Sequence, residues 1–271
     1  TGDAFIDHPS FGTAVIARSL QKYGYRAAVV PQPNGRDDLR DFRKLGAPRL
    51  YFGVNSGAMD SMVNHYTAAK RLRSDDAYTP EGKAGQRPDY AVTVYTKILK
   101  EIYPEVPVII GGIEASLRRV THYDYWQNSL KPPVLVESGA DWLCYGMGER
   151  TMLEFTKAIE AGRNVNDIRK IPQLGFYMDG RCRTKDAVIL NSYERCTKDK
   201  VAFAENFHVV ETYANMMHPP VLVEPVGNGY VQINPTWPPA TQQEMDSFWD
   251  LPFTKLPHPR YKGKHIPAFE M

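Results

Sequence analysis

The stretch Ala140-Asp-Trp-Leu-Cys-Tyr-Gly-Met-Gly-Glu149-Arg-Thr-Met-Leu-Glu-Phe155 decides the fold class of this 271-residue chain. Its first part, residues 142–145, is an apolar run typical of a buried strand, and residues 151–161 have the spacing of an amphipathic helix. The turn between them contains Gly146, Gly148 and Glu149. In doubly wound domains a ligand lies at the carboxyl end of a strand, so the sequence predicts a site at this turn.

The same alternation of strand and helix runs through the preceding residues. The predicted helices are residues 13–23 and 89–103, and the predicted strands are residues 25–30, 50–54 and 106–110. Such alternation is typical of right-handed crossover units. We therefore predict an α/β fold for residues 1–162, with an open, mostly parallel Rossmann-like sheet and helices on both faces.

The pattern changes after Arg163. Residues 163–218 are predicted to form a small α+β extension, in which strands 174–178 and 187–190 flank a hairpin turn at Asp179-Gly180 and residues 198–213 form a helix. Residues 219–271 contain many prolines and are predicted to be an extended connector. Within the connector, residues 241–250 are predicted to be a helix capped by Thr241.

Polar and glycine residues follow several of the predicted strands. Asn55 and Asp60 come after residues 50–54, while Gly111, Gly112 and Glu114 come after residues 106–110. The carboxyl ends of parallel strands meet at one edge, so these residues are expected to gather with the Gly146 turn around a cofactor or substrate. The glycines are equally explained as tight turns, and both interpretations stay open.

The chain resembles a known family over essentially its whole length. The segments Gly2-Asp-Ala-Phe-Ile-Asp-His-Pro-Ser-Phe-Gly12, Asn55-Ser-Gly-Ala-Met-Asp-Ser-Met-Val-Asn-His-Tyr66, Arg73-Ser-Asp-Asp-Ala-Tyr-Thr-Pro80 and Gly111-Gly-Ile-Glu-Ala-Ser-Leu-Arg-Arg119 resemble the N-terminal region of YgiQ-type radical S-adenosylmethionine (radical SAM) proteins. The Gly-x-Gly-Glu turn is similar to one in the domain that precedes the barrel of cobalamin-associated radical SAM enzymes.

This resemblance implies a 4Fe-4S cluster and S-adenosylmethionine in the intact protein, acting on an unknown small-molecule or macromolecular substrate. The cluster needs three cysteines at Cys-x-x-x-Cys-x-x-Cys spacing. Cys144, Cys182 and Cys196 lie too far apart in sequence for that motif. We therefore expect an accessory domain that shapes the substrate or second-cofactor site, whose partner is the radical SAM barrel of the same chain and which is inactive alone.

Asp7 and His8 bear on whether the second cofactor is cobalamin. Base-off cobalamin domains use an Asp-x-His-x-x-Gly loop, in which the histidine binds cobalt and the aspartate orients it. Here the acid is adjacent to His8, and Gly12 follows four residues later rather than three. The ligand motif is broken, and we favour a role for His8 in capping the following helix or in bonding the loop backbone. Cobalamin without a protein ligand stays possible.

Composition excludes several functions and leaves some minority candidates. With 33 basic and 31 acidic residues, the chain carries no signal for nucleic-acid binding. No apolar run could cross a membrane, and three unpatterned cysteines fit the cytoplasm. His65 and His122 lie in polar and aromatic settings, and Lys70, Arg71 and Arg73 are candidates for binding an anion.

Two further hypotheses compete with the accessory enzyme domain. In one, the chain is a binding or docking module with no small-molecule site, and its polar loop residues are satisfied by backbone groups. In the other it is a free-standing Rossmann-like enzyme, but the fingerprint Gly-x-Gly-x-x-Gly is absent. Walker, zinc-hydrolase and serine-hydrolase motifs are absent as well.

Overall fold

The computed structural model describes residues 1–270 and has a mixed α/β fold. The strands are β1 (Phe52–Val54), β2 (Val108–Ile110), β3 (His122–Asp124), β4 (Ser129–Lys131), β5 (Trp142–Cys144), β6 (Leu174–Asp179), β7 (Val188–Ile189), β8 (Leu222–Val226) and β9 (Gly229–Ile233). The helices are α1 (Gly12–Lys22), α2 (Arg40–Arg43), α3 (Ser61–His65), α4 (Ala91–Ile102), α5 (Gly112–Leu117), α6 (Val134–Ser138), α7 (Glu149–Glu160), α8 (Val165–Ile168), α9 (Tyr193–Cys196), α10 (Lys200–Ala214), α11 (Gln242–Trp249) and α12 (Pro267–Glu270).

The main sheet has seven strands in the order β1-β2-β5-β6-β9-β8-β7, and β3 and β4 form a separate antiparallel pair. Within the main sheet, β1, β2 and β5 are parallel, as the crossover pattern predicts. Beyond β5, the strands β6, β9 and β8 pair antiparallel, and β7 is parallel to β8. The predicted α/β class is confirmed, and the parallel strands place their carboxyl ends at one edge.

Helices cover both faces of the parallel part of the sheet. On one face α1 packs against α7, and on the other α4 packs against α6. Neighbouring residues of β2 point to opposite faces: Ile109 belongs to the core cluster of α7, whereas Val108 and Ile110 belong to that of α4. This burial on both sides explains why the parallel strands are continuous apolar runs.

Two local predictions are wrong. Residues 25–30 form neither strand nor helix in the described chain. Asp179-Gly180 does not connect a hairpin, because β6 pairs with β9 and the Gly180 N–H donates to the Asn228 carbonyl oxygen at 3.0 Å. The local pattern carries a turn signal but not the choice of partner strand.

The segment predicted as a connector contributes to the sheet. The antiparallel pair β8 and β9 lies within residues 219–271, and β9 inserts between β6 and β8. The predicted helix that follows does form as α11, where Thr241 and Glu244 make a reciprocal capping box. No helix in residues 1–270 is long and apolar enough to cross a membrane.

Candidate functional site

A cavity of about 1080 Å³ opens at the carboxyl edge of the parallel strands. Six of the predicted site residues line it: Asn55, Gly111, Gly112, Gly146, Gly148 and Glu149. They reach it because β1, β2 and β5 end at the same edge. Asp7, His8, Asp60 and Glu114 do not line this cavity.

Glycine is required at two of the lining positions. Gly112 has a φ of +76°, and a Cβ there would lie 3.2 Å from the Asn55 Cβ. Gly146 has a φ of +66°, and a Cβ there would lie 3.1 Å from Nε2 of Gln173. Other residues adopt such φ values only with strain, so the two loops keep bare backbone at the mouth of the cavity.

Asn55 fixes the loop that follows β1. Its Oδ1 accepts hydrogen bonds from the Gly57 N–H at 2.9 Å and from the Thr1 and Thr13 hydroxyls at 2.8 and 3.3 Å. One amide oxygen therefore joins the amino terminus, the first turn of α1 and the β1 loop. Asn55 therefore lines the cavity, but its side-chain oxygen is engaged in hydrogen bonds within the domain.

Asp60 and Glu114 belong to a buried ionic cluster rather than to the cavity wall. Oδ1 of Asp60 caps α3 by accepting from the Met62 N–H at 2.9 Å, and Oδ2 lies 2.8 Å from Nη2 of Arg118. Oε1 and Oε2 of Glu114 accept from the N–H groups of Val92 and Ser61, each at 2.9 Å. These carboxylates hold α3, α4 and α5 together.

Asp7 and His8 also serve the framework. Asp7 pairs with Arg18 of α1 and accepts the Thr254 N–H at 2.8 Å, which joins the amino-terminal loop to the carboxyl-terminal segment. Nδ1 of His8 accepts the Ser10 N–H at 3.1 Å. Because Asp7 bonds Arg18, it does not orient the His8 ring as an aspartate does in the base-off cobalamin loop.

Sequence reasoning missed the most buried charged group, Arg87. Its Nη1 lies 2.7 Å from Oδ1 of Asp3, and its Nη2 lies 3.0 Å from Oδ2 of Asp76. Nη1 also donates to the Ser56 carbonyl oxygen at 2.9 Å. Burial raises the pKa of Asp3 to about 6, although Arg87 opposes that rise. No local motif marks Arg87, since both carboxylates are distant in sequence.

The cysteines are not arranged to hold an iron–sulfur cluster. Cys144 and Cys196 are buried and Cys182 is half-buried. Burial raises the pKa of the Cys144 thiol to about 12, so this side chain stays protonated and packs against Gly148. Residues 1–270 contain no group of three or more histidine, cysteine or acidic side chains that could bind a metal ion.

Two further titratable groups lie around β3 and β8. Burial and the nearby Arg118 lower the pKa of His122 to about 4, so its ring is neutral at physiological pH. Glu224 is 1% exposed, and its Oε2 accepts the Thr121 N–H at 2.7 Å. Burial raises the pKa of Glu224 to about 7. Neither residue lines the cavity.

An open α/β sheet with glycine loops at the carboxyl edge of its parallel strands defines a Rossmann-like domain. The chain belongs to the Radical SAM N-terminal family, whose model matches residues 1–271. The resemblance to the N-terminal region of YgiQ-type radical SAM proteins is thereby confirmed.

The relatives include two bacterial UPF0313 proteins. The one from Porphyromonas gingivalis is 53% identical over 274 residues, and the one from Bacteroides thetaiotaomicron is 50% identical over 288 residues. Each match covers 100% of this chain but only 43% and 46% of the relative. The chain therefore spans less than half the length of these curated relatives.

A partial structural likeness accompanies the sequence matches. The radical S-adenosylmethionine methyltransferase TsrM from Kitasatospora setae, solved with its tryptophan substrate and a SAM analogue, aligns with a TM-score of 0.38 and 21% identity. The alignment covers 60% of this chain and 24% of the methyltransferase.

Proposed function

We propose that this chain is the accessory domain of a radical SAM enzyme and that its carboxyl-edge loops form one wall of the site for a substrate or second cofactor. The observation that carries the proposal is the family match over residues 1–271. The matched relatives are more than twice as long as this chain, which leaves room in them for a catalytic barrel.

The cluster is expected to be held outside this chain. Its described cysteines do not fit a 4Fe-4S site, because Cys144 is a buried protonated thiol and no metal-binding group of side chains is formed. With S-adenosylmethionine, such a cluster supplies radical initiation in the intact protein. This chain's own residues would position and shield the substrate.

Exposed apolar side chains at the carboxyl edge support the proposal that the barrel covers these loops. Ile113 and Leu117 of α5 and Met147 of the glycine turn are 43%, 58% and 57% exposed. They are neighbours, since the Gly146 N–H donates to Oγ of Ser116 at 3.1 Å. An apolar patch beside bare glycine backbone favours contact with another surface of the same protein.

One observation favours the docking module as a second candidate. Asp3, Asp60 and Glu114 are all satisfied by arginines and backbone N–H groups of this chain. A domain with no small-molecule site would satisfy its loop carboxylates in this way. The two candidates differ in whether changes at the edge alter cofactor chemistry or only attachment to the barrel.

The test uses the full-length protein, reconstituted anaerobically with iron and sulfide. A thiolate-to-iron absorption band, an electron paramagnetic resonance signal altered by S-adenosylmethionine and 5′-deoxyadenosine formation are expected. Hydroxocobalamin retained through gel filtration would identify the second cofactor. Failure of the full-length protein to assemble a cluster overturns the proposal.

Matched variants separate the two candidates. Leu117→Glu places a charge on the exposed patch, whereas Val201→Glu places one on α10, where Val201 is 65% exposed. If the carboxyl-edge loops form a wall of the site, only Leu117→Glu is expected to change the rate of 5′-deoxyadenosine formation at equal cluster content. Unchanged chemistry together with weaker attachment of the domain, measured by limited proteolysis, would favour the docking module.

A further inference from the structure

Three cations cluster on one short hairpin that follows α3, here called the basic hairpin (residues 65–73). Its ends are joined by a hydrogen bond from the Arg73 N–H to the His65 carbonyl oxygen at 2.8 Å. Lys70, Arg71 and Arg73 are all exposed, and none of them forms an ion pair in the described chain. The basic hairpin therefore presents three positive charges to solvent from a backbone that is closed on itself.

The even overall composition conceals this cluster. The formal net charge of the whole chain is only +2, which the three cations of the basic hairpin exceed. Residues 61–74 contain no aspartate or glutamate. Of the next two acids, Asp75 is exposed, whereas Asp76 is buried and pairs with Arg87 at 3.0 Å. The surface of the basic hairpin thus keeps an excess of positive charge, which attracts an anionic partner.

A second hairpin packs against the basic one. It consists of β3, β4 and the turn between them, and is here called the aromatic hairpin (residues 122–131). The Tyr125 hydroxyl donates to the Ala68 carbonyl oxygen at 2.7 Å, and Nζ of Lys70 donates to the Trp126 carbonyl oxygen at 3.2 Å. Nζ of Lys70 also lies 4.6 Å from the centre of the Tyr125 ring. These contacts join the two hairpins into one surface.

Two tyrosine rings of the aromatic hairpin are exposed beside the cations. Tyr123 is 50% exposed and Tyr125 is 45% exposed, although an aromatic ring is more stable when it is buried. The Tyr123 hydroxyl donates to Oδ1 of Asn128 at 2.5 Å, and the Tyr125 hydroxyl is held by the basic hairpin. Because both hydroxyls are already hydrogen-bonded, these side chains offer a partner the surface of their rings.

The nearby cations outside the basic hairpin are engaged within the domain. Nζ of Lys131 lies 3.0 Å from Oε1 of Glu137 and 3.9 Å from the centre of the Tyr90 ring. Arg118 is 7% exposed and pairs with Asp60. These two cations stabilise the fold, and the free positive charge beside the exposed rings belongs to the basic hairpin.

We infer that the two hairpins together form a platform for single-stranded nucleic acid. Cations beside exposed aromatic rings bind such strands, because phosphates contact the cations while unpaired bases stack on the rings. Lys70, Arg71 and Arg73 contact the phosphates, and the rings of Tyr123 and Tyr125 stack on the bases. An acidic peptide carries no base for the rings, and a duplex keeps its bases stacked inside.

The platform lies at the same edge of the sheet as the proposed wall. A crossover helix runs antiparallel to the strands that it connects, so α4 begins at the carboxyl edge. Both hairpins contact the two residues just before α4. The Tyr66 hydroxyl donates to Oδ2 of Asp89 at 2.8 Å, and Nε2 of Gln127 donates to the Tyr90 hydroxyl at 3.2 Å. The bound strand is therefore the macromolecular substrate, an assignment that rests on the proposed function.

Fluorescence anisotropy with the full-length protein, before any cluster is reconstituted, tests the platform. The probes are a labelled RNA of about 12 nucleotides, DNA of the same sequence, the duplex and an acidic peptide of equal charge. Both single strands are expected to bind more tightly than the duplex and the peptide, and the tighter strand identifies the nucleic acid. Three phosphate contacts predict that the logarithm of the binding constant falls with the logarithm of the salt concentration with a slope of about −2. No binding of either strand, or equal binding of the peptide or the duplex, overturns the inference.

Matched variants assign the binding to the two hairpins. Arg71→Gln is expected to weaken strand binding about fivefold and to reduce the steepness of the salt dependence by about 0.7. Arg163→Gln, which changes an exposed arginine after α7, should leave both unchanged. Tyr125→Leu is expected to weaken binding about tenfold through lost stacking, whereas Tyr125→Phe keeps the ring and retains binding. Equal effects of the two arginine variants, or of the two Tyr125 variants, overturn the inference.

Radical chemistry gives a separate readout for the substrate assignment. In the reconstituted full-length protein, the strand that binds is expected to raise the rate of 5′-deoxyadenosine formation, and Tyr125→Leu should remove that increase. Binding without any increase overturns the substrate assignment. Failure to assemble a cluster overturns the proposed function instead, and the binding measured without a cluster is independent of it.

Discussion

Arg87 and Asp3 form an ion pair in the interior, with Nη1 of the arginine 2.7 Å from Oδ1 of the aspartate and side-chain exposures of 0% and 4%. Asp76 completes the group from the opposite side of the guanidinium. A buried charge is tolerated only when it is paired and hydrogen-bonded, and this arginine connects the amino-terminal loop to the residues before α4.

Arg87→Met is expected to lower the free energy of unfolding by about 3 to 5 kcal/mol, because it leaves two buried carboxylates without their partner. Arg40→Met is the matched control, since Arg40 pairs with Asp38 at 3.0 Å on the surface and both side chains are more than half exposed. Its effect should stay below about 1 kcal/mol. Similar losses for both variants in urea unfolding would contradict the central role of Arg87.

Gly57→Ala is expected to be among the most damaging glycine substitutions. Gly57 has a φ of +109°, and a Cβ there would lie 2.1 Å from Oδ1 of Asp3. Gly24 has a φ of +88° with no atom within 4 Å of its Cβ position, so Gly24→Ala carries only the backbone cost of roughly 1 to 2 kcal/mol. Urea unfolding should show at least twice that loss for Gly57→Ala, and equal losses would argue against the close approach to Asp3.

Glu224 predicts a pH dependence of stability. Its folded pKa of about 7 lies above the unfolded value, so its favourable contribution is complete at low pH and is lost as the pH rises from about 4 to 7. Glu224→Gln stays uncharged, and its unfolding free energy relative to the unmodified protein should rise by up to about 3 kcal/mol over that range. The control is Glu105→Gln, on an exposed residue. A flat difference for Glu224→Gln would show that this carboxyl titrates normally.

The cysteines should differ sharply in reactivity. Only the thiolate reacts with disulfide reagents, and burial raises the pKa values of Cys144 and Cys196 to about 12 and about 11. Cys182 is half-buried on the loop after β6. One thiol per native protein molecule is therefore expected to react rapidly with the reagent. Cys182→Ser should abolish this rapid reaction, while Cys196→Ser should retain it. Rapid reaction of two or three thiols would mean that the interior opens readily.

Local signals were sufficient for several elements and insufficient for their partners. Thr241 lies three residues before Glu244, and this spacing alone predicts the cap of α11 that forms. The turn signal at Asp179-Gly180 is equally local, yet β6 pairs with β9, more than forty residues away in sequence. Strand pairing depends on which distant apolar run fits the sheet, and no window of sequence contains that information.

For the candidate site as well, the sequence predicts some features and not others. Gly112 and Gly146 follow apolar strands, so their place at the carboxyl edge could be predicted from the strand ends. Glu114 follows β2, as Gly112 does, but its carboxylate is buried. It is buried because Arg118 and the Val92 N–H are within bonding distance in the fold. Sequence position brings a carboxylate to an edge, whereas the choice between solvent and interior depends on partners from other elements.

The insertion of β9 between β6 and β8 has a consequence for biosynthesis. The ribosome releases β1, β2 and β5 first, but the central strand β6 gains its second neighbour only when Ile233 has left the exit tunnel. Until then the nascent chain carries an open apolar edge that other chains could join. A stop codon placed before Gly229 should therefore yield an aggregating product rather than a smaller folded one.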